Sequence, residues 1–152
     1  MLPLSRIVCP LDFSEPSQKA LQTAIEFAVQ FRAELILVHV IAPAAPGIPA
    51  DPTYAFAGTE DYEKALRTQA EEQLTLAEQR LPEGLKSRKV IGTGDAADEI
   101  VRLADEEGAD LIVIATHGLT GWRHLVFGSV AEKVMRHSQR PVLVVPAHEP
   151  KE

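Results

Sequence analysis

Residues 35–41 read Leu35-Ile36-Leu37-Val38-His39-Val40-Ile41, six branched aliphatic residues interrupted by one histidine. A strand with one face in water alternates apolar and polar residues. This run does not alternate, so both its faces are expected to be covered, as in a parallel sheet packed between two layers of helix. Ser5 to Leu11, Leu111 to Ala115 and Pro141 to Val145 have the same character. Ser87 to Gly92 is a weaker strand candidate, because it carries Arg88 and Lys89.

Helical periodicity fills the intervals. Ala20, Leu21, Ala24, Ile25, Ala28 and Phe31 recur at three- and four-residue steps. Ser14 suits the N-cap of that helix and Pro16 its first turn. Glu60 to Leu81 repeats the pattern through Tyr62, Leu66, Ala70, Leu74 and Ala77, and Asp98 to Glu107 through Ile100, Val101, Leu103 and Ala104. The last helix is expected to start at Ser129, with Glu132 at capping-box spacing. The order is β-α-β-α-β-α-β-α-β, which predicts an α/β fold with a doubly wound five-stranded parallel sheet. Right-handed crossovers favour strand order 3-2-1-4-5, with the switch point between the first and fourth strands. Residues 42–58, with Pro43, Pro46, Pro49 and Pro52, read as a long surface loop. No repeat or second domain is visible, so 1–152 reads as a single domain.

Composition bounds the function. The chain has 152 residues, enough for one domain with a real core. Apolar residues make up 45% and charged residues 24%, which argues against disorder. Fifteen basic against 22 acidic side chains leave a net charge of −7, a poor match to nucleic acid. The single cysteine, Cys9, makes no internal disulfide and no thiolate cluster, and inside a strand it reads as a small buried hydrophobe. No apolar run reaches the length of a membrane span, and residues 1–6 lack a signal-peptide pattern, so a cytoplasmic protein is expected.

Open α/β sheets bind ligands beyond the carboxyl ends of their strands, at the switch point. That places Pro10-Leu11-Asp12 beside Ala115-Thr116-His117-Gly118. The loop that follows runs from Gly118 through Gly121 to Gly128-Ser129 and ends at a helix start. Glycines allow close backbone approach, and a helix N-terminus offers free N–H donors. Two readings fit these residues: a phosphate cradle without a Walker lysine, or a turn followed by a cap. Asp12 fits either a ligand carboxylate or a cap before the first helix.

Residues 112–145 run Ile-Val-Ile-Ala-Thr-His-Gly, nine residues, Gly-Ser, and end in Pro-Val-Leu-Val-Val. They resemble the universal stress protein family. Ile7-Val8-Cys9-Pro10-Leu11-Asp12-Phe13-Ser14 resembles its first strand, and Leu37-Val38-His39-Val40 its second. The resemblance implies an adenine nucleotide α-hydrolase-like (Rossmann-like) sandwich, usually a homodimer. One branch of the family binds ATP through Gly-x-x-Gly, nine residues, Gly-Ser/Thr. Another branch lacks the motif and binds none. Gly118, Gly128 and Ser129 match the motif, whereas Ala115 stands where its first glycine belongs. By resemblance, Pro10, Leu11 and Asp12 surround the adenosine, with Asp12 accepting from the ribose hydroxyls. Val40 meets adenine through its backbone, and Gly118, Gly128, Ser129 and Val130 hold the phosphates. Ala115, His117 and Arg123 stand in or beside the motif and complete the candidate set. The implied cofactor is ATP, with AMP or ADP as alternatives, and Mg²⁺ is an accessory. The alternatives are a dimeric interaction module without nucleotide and, ranked last, a slow ATPase.

Other signals point elsewhere. Gly92-Thr93-Gly94-Asp95-Ala96-Ala97 fits a dinucleotide-binding pattern but follows the third strand, so it is read as a strand–helix turn with Asp95 as cap. His117 and His124 lack the neighbours of a metal cluster. From Thr116 to Pro141, Arg123, Lys133, Arg136 and Arg140 outnumber Glu132, a locally basic segment. Trp122 suits either loop packing or a subunit contact. No nucleophile–base pairing is evident. The last strand lies at a sheet edge yet is apolar, so Val142–Val145 is expected to pair antiparallel with a second copy.

Overall fold

A computed structural model describes residues 3–43, 59–116 and 128–147. Among these residues, strands and helices alternate as β1 (Arg6–Pro10), α1 (Glu15–Phe31), β2 (Glu34–Ile41), α2 (Thr59–Gln79), β3 (Ser87–Thr93), α3 (Ala96–Glu106), β4 (Leu111–Ala115), α4 (Ser129–His137) and β5 (Val142–Val145). All strand pairings are parallel, in the order β3-β2-β1-β4-β5. The expected order and switch point are therefore observed.

The aliphatic runs have both faces covered. Ile7, Cys9, Leu11, Leu35, Leu37, Leu111 and Val113 pack against Leu21, Ala24 and Ala28 of α1 and Leu74 and Ala77 of α2. Val8, Ile36, Val38, Ile112 and Ile114 face the other way, onto Ile100, Leu103 and Ala104 of α3 and Ala131 and Val134 of α4. Period-two alternation thus divides β1, β2 and β4 between two apolar layers, which is why their central residues are almost all aliphatic.

At the amino end of the sheet the charges pair with one another. Arg88 Nε meets Glu34 at 2.8 Å and Arg88 Nη1 meets Glu107 at 2.6 Å. The Asp110 carboxylate accepts from the Ser5 and Arg6 N–H groups at 2.8 and 3.0 Å. On edge strand β3, Lys89 bonds Glu78 at 2.8 Å and holds that carboxyl below its ordinary range. Paired charges of this kind protect an edge from adding another strand.

The helix starts follow the capping reading in two cases and depart from it in one. The Ser14 hydroxyl accepts from Ser17 N–H at 3.3 Å, and the Asp95 carboxylate from Asp98 N–H at 3.1 Å. In α4, however, Gly128 is the N-cap and Ser129 is already helical. Gly128 is extended (φ −66, ψ 151), and its carbonyl accepts the first helical bond from Glu132 N–H at 3.0 Å. The expected Ser129–Glu132 capping box therefore does not form. The Glu132 carboxylate instead meets Arg136 at 2.6 Å.

Cys9 is fully buried, and burial pushes its thiol up from 9.0 to about 12. Between these values the unfolded thiol loses its proton and the folded one keeps it. Stability is expected to fall above pH 9 by about 1.4 kcal/mol per pH unit from this group alone. Denaturant melts of the wild type and Cys9→Ala across this range check it, because the variant lacks that component of the slope.

Candidate functional site

The sheet opens at its carboxyl edge. β1 pairs with β2 along its whole length, from Arg6↔Glu34 to Pro10↔Val38. It pairs with β4 only at Ile7↔Leu111 and Val8↔Ile112, while β4 continues along β5 to Ala115↔Val145. The pairing of β1 with β4 therefore ends at Val8, while β4 goes on pairing with β5. Pro10 suits this end of the pairing. Leu11 N–H donates to Val38 O at 2.7 Å, so the donor that Pro10 lacks is the one that would face β4.

On the β1 side, the chain turns sharply after the strand. The Asp12 carboxylate accepts from Ser14 N–H at 3.0 Å and from the Ser14 hydroxyl, which in turn caps α1. Phe13 takes a left-handed conformation (φ 64), and its ring stacks on His39 with centroids 4.6 Å apart. His39 Nδ1 donates to the Leu11 carbonyl at 2.7 Å. The carboxylate is thus tied to the start of α1, and the residues on either side of it are tied to His39 of β2.

On the β4 side, Thr116 is a buried junction. Its N–H donates to Val145 O at 3.0 Å, its hydroxyl accepts from Ala147 N–H at 3.0 Å, and its carbonyl accepts from Gly128 N–H. The last of these bonds sets the start of α4 against the end of β4. Gly128 offers no side-chain cap, and Ser129 and Val130 are exposed. The first-turn N–H groups of α4 are consequently left for solvent or a ligand among the described residues.

Pro10 ends β1, Leu11 and Asp12 follow it, Val40 is the penultimate residue of β2, and Ala115 ends β4. Gly128 caps α4, and Ser129 and Val130 begin it. Parallel strands bring all of these to one edge of the sheet. His117, Gly118 and Arg123 lie outside the described residues, as do Gly121, Trp122 and His124. Ala115 has strand geometry; the described non-glycine residues with positive φ are Phe13 and Arg32. The backbone at position 115 therefore does not demand glycine.

Two other regions are filled. A Cβ at Gly92 would lie 2.7 Å from Glu99 Oε2, so this carboxylate occupies the space a pyrophosphate would need. Arg102 holds the Glu99 carboxyl below its usual range, with burial opposing and an N–H bond from Thr93 helping. The basic segment is neutralised where it is described: Lys133 bonds Asp95 and Asp98 at 3.0 and 3.1 Å, Arg136 bonds Glu132, and Arg140 bonds Asp105 at 2.9 Å. It offers no array of unpaired cations there. No cluster of three His, Cys, Asp or Glu suited to a metal occurs among the described residues. Sequence reading assigned no role to His39, Phe13 or Thr116. Only His39 carried a signal, as the polar residue in an aliphatic run, since a polar group in a covered strand needs a hydrogen-bond partner.

The family model for the universal stress protein family matches residues 3–146. The chain belongs to the universal stress protein family. Universal stress protein MJ0531 of Methanocaldococcus jannaschii is 36% identical over 143 residues, covering 92% of this chain and 81% of that protein. The solved structure of MJ0577, from the same organism, superposes with a TM-score of 0.83 at 29% identity, covering 99% of this chain and 100% of that one. A universal stress protein from Archaeoglobus fulgidus, solved in complex with dAMP, shares the fold with a TM-score of 0.60 at 24% identity, covering 95% of this chain and 98% of that one. No described helix is long and apolar enough to cross a membrane.

Proposed function

We propose that this member of the family binds an adenine nucleotide, ATP before AMP or ADP, in the crevice between β1 and β4. The observation that carries the reading is the parting of β1 from β4 between the oriented Asp12 carboxylate and the α4 N-terminus, which has no side-chain cap. A carboxylate accepts from both hydroxyls of a ribose diol. Helix N–H groups and the Ser129 hydroxyl donate to phosphate oxygens. Pro10 and Leu11 flank the nucleoside, and the Val40 backbone meets the base. Ala115, His117, Gly118, Arg123 and Val130 complete the site, and Mg²⁺ accompanies the triphosphate. That a protein of this fold was solved with dAMP supports the ligand class. Binding serves regulation in stress, with the loop from Gly118 to Gly128 as the responding segment, in a cytoplasmic protein.

Gly128 tests the phosphate end. Its φ of −66 suits any residue, so Gly128→Val should fold normally. The added side chain at the helix mouth should weaken ATP binding about tenfold or more, as loss of backbone hydrogen bonds to a charged group does. Calorimetry with ATP and Mg²⁺ reads the loss, and unchanged affinity would sink the phosphate assignment.

The proposed assembly is a homodimer through Val142–Val145. Among the described residues this strand is half-buried and bonded on one side only, to β4. Sedimentation as a monomer at micromolar concentration would refute it. Ala115 favours the second reading, a dimeric interaction module without nucleotide, if its methyl group blocks ligand approach.

A further inference from the structure

We infer that His39 is a positioning residue of the crevice: as the Nδ1–H tautomer it clamps the exit of β1 onto β2 and thereby orients Asp12 toward a nucleoside diol. The last step rests on the nucleotide reading above; the clamp does not. A backbone carbonyl only accepts hydrogen bonds, so 2.7 Å between Leu11 O and His39 Nδ1 places the proton on Nδ1. Leu11 is then held twice by β2, through its N–H to Val38 O at 2.7 Å and through its carbonyl to the His39 ring.

Phe13 closes the arrangement. Its ring stacks on His39 with an interplanar angle of 27°, and this contact accompanies a positive φ that a bulky residue rarely adopts. Asp12 lies between the two anchored residues, and its carboxylate turns back onto Ser14. The face of β2 that carries Leu35 and Leu37 needs only apolar side chains for its packing. A leucine at position 39 would serve that packing, whereas the histidine serves the turn. The neighbouring Val40 is the residue assigned to the base. One strand would thus meet the adenine and fix the loop that meets the ribose.

His39→Leu removes the donor, and His39→Asn restores one near the place of Nδ1. Long-range ¹H–¹⁵N spectra of the neutral imidazole should show Nδ1 protonated and Nε2 bare. In ligand-free protein, Leu11 and Ser14 amides should exchange about tenfold faster in His39→Leu and near the wild-type rate in His39→Asn, as expected for one lost hydrogen bond. ATP affinity should fall about tenfold in His39→Leu and stay within about threefold in His39→Asn. An Nε2–H tautomer, or unchanged exchange, would overturn the clamp. A wild type and a His39→Leu protein that bind ATP equally would overturn the positioning role. A wild type that binds no ATP sinks the nucleotide reading and the positioning of a nucleoside with it, while tautomer and exchange still decide the clamp.

Discussion

Asp12→Asn is expected to fold as the wild type does and to lose most of its affinity for adenine nucleotide. The Asp12 carboxylate has a local task as well as the proposed ligand task. It accepts from Ser14 N–H at 3.0 Å and from the Ser14 hydroxyl, and Ser14 caps α1. An asparagine carbonyl oxygen can keep the local bonds, but its amide supplies donors where a ribose diol also donates. Loss of charge-assisted bonds to the diol costs about 1.5–3 kcal/mol, roughly ten- to a hundredfold in Kd. Asp12→Ala removes both tasks, so it should also lose about 1 kcal/mol of stability, the value of a hydrogen bond. Calorimetry with ATP beside denaturant melts separates the two effects. If Asp12→Asn binds ATP as the wild type does, the carboxylate serves the turn at Ser14 and is not a ribose ligand.

Ile36→Ala and Leu37→Ala should each destabilise the fold by about 2–5 kcal/mol, the range for emptying a packed core site. The two residues are consecutive and fully buried, and they face opposite layers, α3 and α4 for Ile36 and α1 and α2 for Leu37. Against a typical total of about 5–15 kcal/mol, either loss is large. A sheet with one wet face would show one severe and one mild variant. Urea midpoints for the pair therefore test the two-layer architecture directly.

The same pair shows why the fold was legible. Continuous aliphatic runs are a property of strands covered twice, and four of the five strands carried one. Pro10 carried a signal that the sequence reading did not use: a proline in a central strand marks a place where a ladder bond is missing. What escaped was the contact between distant positions. No local pattern says that Leu11 O meets the ring of His39, or that Thr116 binds residues 128, 145 and 147. The first residue of α4 was read correctly, but its cap was misread for a different reason. Ser-x-x-Glu spacing marks a capping box only when the serine is extended, and here the extended residue is Gly128. That the basic segment is neutralised was not legible in it, because the carboxylate partners of Lys133 and Arg140 come from α3 and its N-cap: Asp95, Asp98 and Asp105.

The most direct measurement is the nucleotide content of the protein as purified. The chain is expressed and isolated with no nucleotide added, then denatured, and the released adenine compounds are quantified by chromatography against protein concentration. Near-stoichiometric ATP, ADP or AMP is the expected result, and it would show that Ala115 is tolerated in the loop motif. No adenine nucleotide, together with no calorimetric heat on adding ATP and Mg²⁺, would contradict the proposed site and leave a dimeric interaction module in its place.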